Sequence, residues 1–308
     1  MSFTSEVKNE ISNLKTTKTE NISELSAIIR NIGTINDDIL KITTENEYVA
    51  RRIFNLIKIE YNFLPKIIVR RGYNFNKNYI YILEIKQKIE EILEDLSVNL
   101  KNKIDIPKEY IYSDEEQIRS YLRGLFLSVG SVNDPKKSRY HLEFFVDNEE
   151  YAIFISNLLN MYYLNSKTIK KDNKYMVYIK EAEKIGDFLR ILNATNALFY
   201  YEDIRIYRDH KNMTNRLNNC EQANVDKIIQ TATTQIRHIE AIKEIGGLDL
   251  LDDKTKEAAI YRLKYPEASL VELGEIITME TGNPITKSGL HHRFRKIKEL
   301  AQKIEKKD

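Results

Sequence analysis

The fold of this sequence is decided by two short apolar stretches, ELSAIIRNIG at residues 24–33 and LRGLFLSVG at residues 122–130. Each stretch predicts a helix that ends at a glycine, because glycine readily adopts the left-handed conformation that terminates helices. Small residues, such as Ala27 in the first stretch and Gly124 in the second, allow another backbone to approach closely. The two stretches therefore predict helices suited to close backbone packing.

The segments that follow these two helices repeat one pattern, which indicates a tandem duplication. Gly130 lies 97 residues after Gly33, and the related strand segments YIYILE and YMVYIK are 96 residues apart. The pattern predicts, in each repeat, a strand, an amphipathic helix, a β-hairpin and a closing helix. In the first repeat these segments are, in that order, residues 39–43, 47–61, 66–70 with 79–84, and 86–96. In the second repeat they are residues 140–147, 149–164, 167–171 with 175–180, and 182–192. We expect repeats of about 20–97 and 118–193 within a domain of residues 1–207.

The amino-acid composition changes after the second repeat, where a polar, asparagine-rich segment predicts a domain boundary. We assign residues 208–248 to a linker and a connecting helix at about 225–245, which is closed by Gly246 and Gly247. Shorter helices are predicted beyond it at residues 254–264, 270–279 and 287–304. The domain of residues 249–308 is therefore expected to be all-α.

The last two of these helices form a predicted helix-turn-helix between Ser269 and Gln302. Ser269 and Glu272 fit a capping box, and the intervening ETGNPI holds the turn residues glycine, asparagine and proline. The second helix is basic, since residues 286–308 contain eight lysines or arginines and three acidic residues, whereas the whole chain has a net charge of only +2. Its apolar positions fall on one helical stripe: Leu290, Phe294, Ile297, Leu300 and Ile304. A helix with such a stripe and a basic outer face is suited to lie against DNA.

We predict that the outer face of this helix is a DNA-binding site. The residues assigned to it are Thr286, Lys287, Ser288, His291, His292, Arg293, Arg295, Lys296 and Lys298. Ser288 and the free amides at the helix start are placed for a phosphate. The three residues His291 to Arg293 are placed for base edges, and the last three for the phosphate backbone. The alternative interpretation is a solvated helix face, which is common for charged helices.

Composition and missing motifs argue against several other classes of protein. No apolar stretch is long enough to span a membrane, and MSFTSEVKNE lacks the apolar core of a signal peptide, so we expect a cytoplasmic protein with no membrane partner. The single cysteine, Cys220, allows neither an internal disulfide nor a cysteine-based zinc site. No HxxxH, HExxH, GxGxxG or GxxxxGK[ST] pattern is present, so we expect no cofactor, no metal and no small-molecule substrate. Ser5 and Lys8 fit SxxK, which we interpret as chance because no SDN motif accompanies them.

Several separate segments, in the right order, resemble the WhiA family of bacterial proteins, and the resemblance covers nearly the whole chain. These segments are SFTSEVKNEI, LRGLFLSVGSVNDP with YHLEF, NRLNNCEQAN, PEASLVELGEI and ITKSGLHHRFRKI. The resemblance implies an α+β fold in which two tandem LAGLIDADG-like αβ repeats form a saddle, followed by an all-α helix-turn-helix domain similar to region 4 of bacterial sigma factors. It also implies a role in transcription control, at sporulation in some bacteria and in cell division and chromosome segregation in others.

The same resemblance bears on whether the saddle is a nuclease. In LAGLIDADG homing endonucleases each of the two motif helices supplies, just before its final glycine, an acidic residue to a shared divalent-metal site. Ile32 and Val129 occupy these positions in this sequence, and an aliphatic side chain cannot bind a hard cation. We therefore expect no catalytic residues, no nuclease activity and no metal.

The helix-turn-helix pattern predicts DNA binding, and the resemblance implies a regulator. Together they lead us to expect a sequence-specific regulator, associated with the nucleoid, that binds double-stranded DNA in promoter regions. Two alternatives stay open: an active homing endonuclease, and an architectural or segregation factor that uses DNA as an anchor. The hairpins of the saddle carry a set of basic residues that could also contact DNA: Lys66, Arg70, Arg71, Lys170 and Lys171. We favour ordinary surface charge as the interpretation of these residues. An alternative use of the saddle is as a platform that binds another regulator or the transcription machinery.

Overall fold

The computed structural model describes residues 2–71, 79–100, 106–137 and 139–305. Residues 1, 72–78, 101–105 and 138 of the predicted saddle domain and residues 306–308 of the predicted basic segment lie outside these ranges. The chain forms two compact units, Met1–Arg208 and Asp209–Asp308.

The first unit contains an N-terminal helix, α1 (Phe3–Ser12), and two repeats of one αβ pattern. The first repeat consists of α2 (Lys18–Ile32), β1 (Gly33–Asn36), β2 (Ile39–Thr44), α3 (Glu47–Tyr61), β3 (Lys66–Arg71), β4 (Tyr79–Ile85) and α4 (Ile89–Asp95). The second repeat consists of α5 (Glu115–Val129), β5 (Gly130–Val132), β6 (Leu142–Val146), α6 (Glu149–Met161), β7 (Lys167–Lys171), β8 (Lys174–Ile179) and α7 (Ala182–Ile191). The matching order of elements confirms the predicted tandem repeat.

Each repeat forms one four-stranded antiparallel sheet, with strand order β1-β2-β4-β3 in the first and β5-β6-β8-β7 in the second. Corresponding apolar residues pair in the two sheets, Ile42 with Leu83 and Phe144 with Val177. All four side chains are buried in one continuous hydrophobic core. The two sheets and the helices therefore share a single core within this unit.

The two motif helices, α2 and α5, pack directly against each other. A β-carbon on Gly124 would overlap the carbonyl oxygen of Glu24, so the observed approach requires glycine at this position. The buried carboxylate of Glu24 accepts hydrogen bonds from Arg52 Nε at 2.8 Å and from Arg123 Nε at 3.0 Å. These three residues, the Glu24 cluster, tie α2 to α3 within the first repeat and to α5 in the second.

The prediction that the glycines after the motif helices are left-handed caps is wrong. Gly33 has a φ of −84° and Gly130 a φ of −77°, and each begins a short strand that the sequence pattern did not predict. A β-carbon on Gly33 would overlap the carbonyl oxygen of Ile29, and one on Gly130 would overlap Phe126. Glycine is therefore needed at both positions for the tight turn from helix to strand.

The connecting helix starts much earlier than the predicted position near residue 225. It is a single helix, α8, that runs from Thr195 to Glu244 and includes the whole asparagine-rich segment. Residues 195–244 contain neither glycine nor proline, so no backbone feature interrupts the helix, and asparagine lowers helix propensity only modestly. The division between the two units falls inside α8.

The second unit contains the end of α8 and the three predicted helices, α9 (Asp253–Lys264), α10 (Leu270–Thr281) and α11 (Lys287–Glu305). Its core is separate from that of the first unit. The buried apolar residues of this core are Ile239, Ile242, Ala258, Ala259, Leu273, Ile277, Leu290, Phe294, Ile297 and Ala301. The prediction of an all-α C-terminal domain is confirmed.

Candidate nucleic-acid interface

The apolar stripe of α11 fixes this helix on the second unit. Its buried residues are Leu290, Phe294, Ile297 and Ala301, which belong to the same core as residues of α8, α9 and α10. Leu300 and Ile304, which the sequence pattern also placed on the stripe, are only partly buried. Because the stripe faces the core, the opposite side of α11 faces outward.

Local hydrogen bonds define the ends of α10 and α11. The predicted capping box is present, since Ser269 Oγ accepts from the Glu272 amide at 3.2 Å and Glu272 Oε2 accepts from the Ser269 amide at 2.7 Å. α10 ends at Thr281 and is capped by Gly282, whose φ of +73° favours glycine. Thr286 Oγ1 accepts from the Gly289 amide at 3.2 Å, so Thr286 caps α11. These contacts build the predicted helix-turn-helix.

Eight of the nine predicted contact residues are exposed. They are Thr286, Lys287, Ser288, His291, His292, Arg295, Lys296 and Lys298. Ser288, His292 and Arg295 are spaced by four and three residues, so they form one line along α11, opposite the buried stripe. Arg295 Nε lies 3.7 Å from Glu299 Oε1 in an exposed ion pair, which costs little free energy to break.

Two of the predicted cations, Arg293 and Lys296, are paired with acidic residues near the start of α9. The half-buried Arg293 donates from Nη1 to Glu257 Oε2 at 3.0 Å, and Lys296 Nζ donates to Asp252 Oδ2 at 2.9 Å. The hydrogen bond from Lys296, together with the 2.8 Å bond from the Thr255 amide, lowers the pKa of Asp252 to about 2. Sequence reasoning missed these partners, because residues 36 and 44 positions apart meet only through the packing of α9 on α11.

A second polar network joins α9 to α10. The carboxylate of Glu280 accepts hydrogen bonds from Tyr261 at 3.0 Å, Tyr265 at 2.8 Å and Lys264 at 2.9 Å. These bonds, with the one from Lys264 contributing most, lower the pKa of Glu280 to about 2. The network fixes the supporting helix of the helix-turn-helix against α9.

We expect Glu280 to make the second unit sensitive to acid. Its pKa is about 2 in the folded chain and its ordinary value is 4.5, so its stabilising effect is complete above pH 4.5 and is lost as the pH falls through about 2. Urea denaturation of the full-length chain, followed by circular dichroism, gives the free energy of unfolding at pH 6 and at pH 3. The decrease in this free energy between the two pH values should be smaller for Glu280→Gln than for the parent. Glu275→Gln, at an exposed position of the same helix, is the control. Identical pH dependence in the parent and Glu280→Gln would contradict the assignment.

The two positions that carry acidic residues in LAGLIDADG nucleases lie at the ends of the motif helices. Ile32 and Val129 line a cavity of about 500 Å³ together with Asn31 and Tyr151. Asn31 Nδ2 donates to the Tyr151 hydroxyl at 3.1 Å, so a neutral hydrogen bond occupies this end of α2. Within the described ranges, no group of three histidine, cysteine or acidic side chains is placed to hold a metal ion. Nor does any helix there have the length and apolarity needed to cross a membrane.

The basic residues of the saddle hairpins lie on β3 and β7, the strands at one edge of each sheet. All five predicted side chains are exposed: Lys66, Arg70, Arg71, Lys170 and Lys171. Lys171 Nζ lies over the Phe145 ring at 5.3 Å, and Lys170 Nζ over the Tyr175 ring at 5.9 Å. The second hairpin therefore presents cations next to aromatic rings.

Three domains of one protein family match successive parts of the chain. Residues 18–99 match the WhiA N-terminal LAGLIDADG-like domain, residues 118–211 the WhiA LAGLIDADG-like domain, and residues 214–301 the WhiA C-terminal helix-turn-helix domain. These three matches follow the two repeats and the helical unit in order.

Full-length relatives give the same result. The chain is 44% identical over 312 residues to a probable cell division protein WhiA of Lactiplantibacillus plantarum, with 99% of each chain covered. It is 42% identical over 319 residues to the protein of that name in Enterococcus faecalis, which covers 100% of this chain and 99% of the relative. The crystal structure of full-length WhiA from Thermatoga maritima is 28% identical, with a TM-score of 0.58 and coverage of 98% of this chain and 99% of that one. The chain therefore belongs to the WhiA family, with two LAGLIDADG-like repeats followed by a helix-turn-helix domain.

Proposed function

We propose that this protein is a sequence-specific DNA-binding regulator that reads double-stranded promoter DNA with α11. One observation carries the proposal: the outward face of α11 presents polar and basic side chains along the line from Ser288 to Arg295, directly after a capped turn. A helix presented in this way enters the major groove in helix-turn-helix proteins, and its first turns contact base edges.

The exposure and the ion pairs of these side chains support a different role for each residue in this proposal. His291 and His292 are exposed on the first turns of α11, and we assign the base contacts to them. Arg293 is paired with Glu257, so it contributes to base reading only if that pair opens. Lys287, Arg295 and Lys298 are exposed cations that suit phosphate contacts.

The proposal predicts salt-dependent binding that relies on Arg295. Anisotropy titrations of a labelled promoter duplex, at several salt concentrations, should give a log–log salt slope that is about one unit smaller for Arg295→Ala than for the parent, because one phosphate contact is lost. The control is Arg237→Ala, which removes an exposed arginine from α8 in the same unit. Parent binding that changed with neither salt nor the Arg295 substitution would rule out this interface.

We also propose that the saddle does not cleave DNA. Two carboxylates are needed to hold a divalent cation at the ends of the motif helices, and Ile32 and Val129 supply none. A supercoiled plasmid that carries the bound promoter should stay intact with the full-length protein and Mg²⁺. Nicking above the level of a protein-free control would restore the nuclease interpretation.

The cellular role that we propose is control of genes for cell division, in keeping with the names of the similar full-length proteins. Genome-wide occupancy should then show sharp peaks at promoters on the nucleoid. Diffuse coverage without promoter peaks would instead identify an architectural or segregation factor that uses DNA as an anchor.

A further inference from the structure

A cavity of about 820 Å³ lies in the first unit. It is bounded by the first turns of α1 and α3 and by Ser128 near the end of α5. Most of its lining side chains carry a hydroxyl group: Ser2, Thr4, Ser5, Thr43, Thr44, Tyr48 and Ser128. Its volume falls within the range of cavities that hold small molecules in proteins, which is about 300–1,000 Å³.

Lys8 supplies the positive charge of this cavity. Its side chain is partly buried, and its ammonium lies 5.7 Å from the centre of the Phe126 ring. No carboxylate in the described part of the chain comes within ion-pair distance of it. Burial accordingly lowers the pKa of Lys8 to about 8. A partly buried ammonium without an anionic partner is costly, which points to a partner that binds from solution.

The other groups at the cavity leave it receptive to an anion. Helices α1 and α3 begin here, after the caps Ser2 and Asn46, and the start of a helix carries a partial positive charge. Two acidic residues, Glu45 and Glu47, also line the cavity. Glu47 is paired with Arg51, and the side chain of Glu45 is exposed, so water and salt screen its charge. Ile80 adds one apolar surface.

We propose that this cavity binds a phosphate group, with the Lys8 ammonium as its charged partner. The hydroxyl groups of Ser2 and Ser5 are additional donors, because each accepts a hydrogen bond within the protein and keeps its own proton available. The phosphate belongs either to a small organic phosphate or to a DNA backbone. Such a site would give the saddle a ligand of its own, separate from the contacts of α11. The SxxK pattern of Ser5 and Lys8 would then reflect two residues of one anion site and no acyl-transfer chemistry.

The test uses the reactivity of Lys8 in the full-length protein. An amine whose pKa is about 8 is deprotonated at pH 7.5 far more often than an ordinary lysine with a pKa near 10.4. A succinimidyl ester should therefore modify Lys8 faster than its exposure alone predicts, as measured by mass spectrometry. A bound phosphate both covers the amine and holds it protonated, so it should slow the modification. If the dissociation constant is near 10 mM, 50 mM inorganic phosphate should slow it by about fivefold or more. Lys18, which is exposed, is the internal control.

Two comparisons identify the source of the phosphate. Protection by inorganic phosphate, with sodium chloride of equal ionic strength having no effect, supports a free phosphate ligand. Protection by a DNA duplex but not by inorganic phosphate supports the same site with a backbone phosphate as its occupant. Modification of Lys8 that is unaffected by either probe would overturn the proposal.

A variant at Lys8 provides an independent test of phosphate binding. Inorganic phosphate should raise the Tm of the parent by a few degrees, about the shift that a ligand at several times its dissociation constant produces. Lys8→Met should abolish this shift. If Lys8→Met does not fold, the labelling of the parent still tests whether the cavity binds phosphate. Arg295→Ala should keep full protection of Lys8 by inorganic phosphate, so the failure of the α11 interface and the failure of this site are distinguishable.

Discussion

Replacing Glu24 with alanine should lower the free energy of unfolding of the first unit by about 3–5 kcal/mol, the usual cost of removing one partner from a buried ion pair. The Glu24 side chain is 0% exposed, and those of Arg52 and Arg123 are 8% and 4% exposed. Without the carboxylate, two guanidinium groups stay in the core with no opposite charge. A loss of this size is a large share of the roughly 5–15 kcal/mol that stabilises a typical domain.

Urea denaturation of the full-length protein, followed by circular dichroism, measures this effect. The matched control is Glu91→Ala, which breaks the exposed pair with Lys88 at 3.4 Å and should cost less than about 1 kcal/mol. Combining Glu24→Leu with Arg52→Met and Arg123→Met should recover most of the loss, because a packed apolar cluster can replace a buried ionic one. If Glu24→Ala alone lowered the free energy of unfolding by less than about 1 kcal/mol, the Glu24 cluster would contribute no more stability than an exposed ion pair.

The repeat and the helix-turn-helix could be predicted from local signals. Hydrophobic periodicity and the capping residues at Ser269 and Glu272 belong to single segments, and the structure confirms them. The short strands β1 and β5 could not be predicted in this way. They have four and three residues, which is too short for an alternating pattern to be seen, and they form only because β2 and β6 lie beside them.

The Glu24 cluster was missed because the start of its helix was placed too late. The sequence pattern predicts the first motif helix from residue 24, which places Glu24 at the start of that helix. α2 begins at Lys18, after a capping box formed by Thr17 and Glu20, so Glu24 lies in its second turn and faces α5. The pattern Thr-x-x-Glu was present in the sequence and would have moved the start of the helix. The arginine partners are 28 and 99 residues away, and no local pattern identifies them.

The residues proposed for DNA contact show the same limit. Helical periodicity assigns Arg293 to the outer face of the helix, off the apolar stripe, but does not show that Arg293 is paired with Glu257. Because α9 packs across this side of α11, the charge available for DNA is smaller than the sequence count of basic residues suggests. The outward line from Ser288 to Arg295 depends only on helix geometry, which is why it could be predicted.

Arg262 is expected to be the most sensitive single position of the second unit. Its side chain is fully buried, and it donates to the carbonyl oxygens of Ala268 at 2.6 Å and Tyr265 at 3.2 Å, and to Gln235 Oε1 at 3.0 Å. Its guanidinium also lies 5.6 Å from the centre of the Phe294 ring. The residue therefore connects α8, α9, the segment before α10 and the inner face of α11.

Arg262→Met should lower the free energy of unfolding of this unit by about 3 kcal/mol or more, because hydrogen bonds from a charged donor contribute roughly 1.5–3 kcal/mol each and their acceptors would be left unpaired. Since Phe294 packs on Arg262, the substitution should also weaken promoter binding, although the residue is buried and cannot contact DNA. Arg237→Met, on the exposed side of α8, removes an equal charge and should change neither property. Urea denaturation and promoter titration of the same full-length variants measure both effects. Normal DNA affinity in a destabilised Arg262→Met would show that α11 keeps its orientation without this buried arginine, and that its own apolar stripe is sufficient to present the outward face.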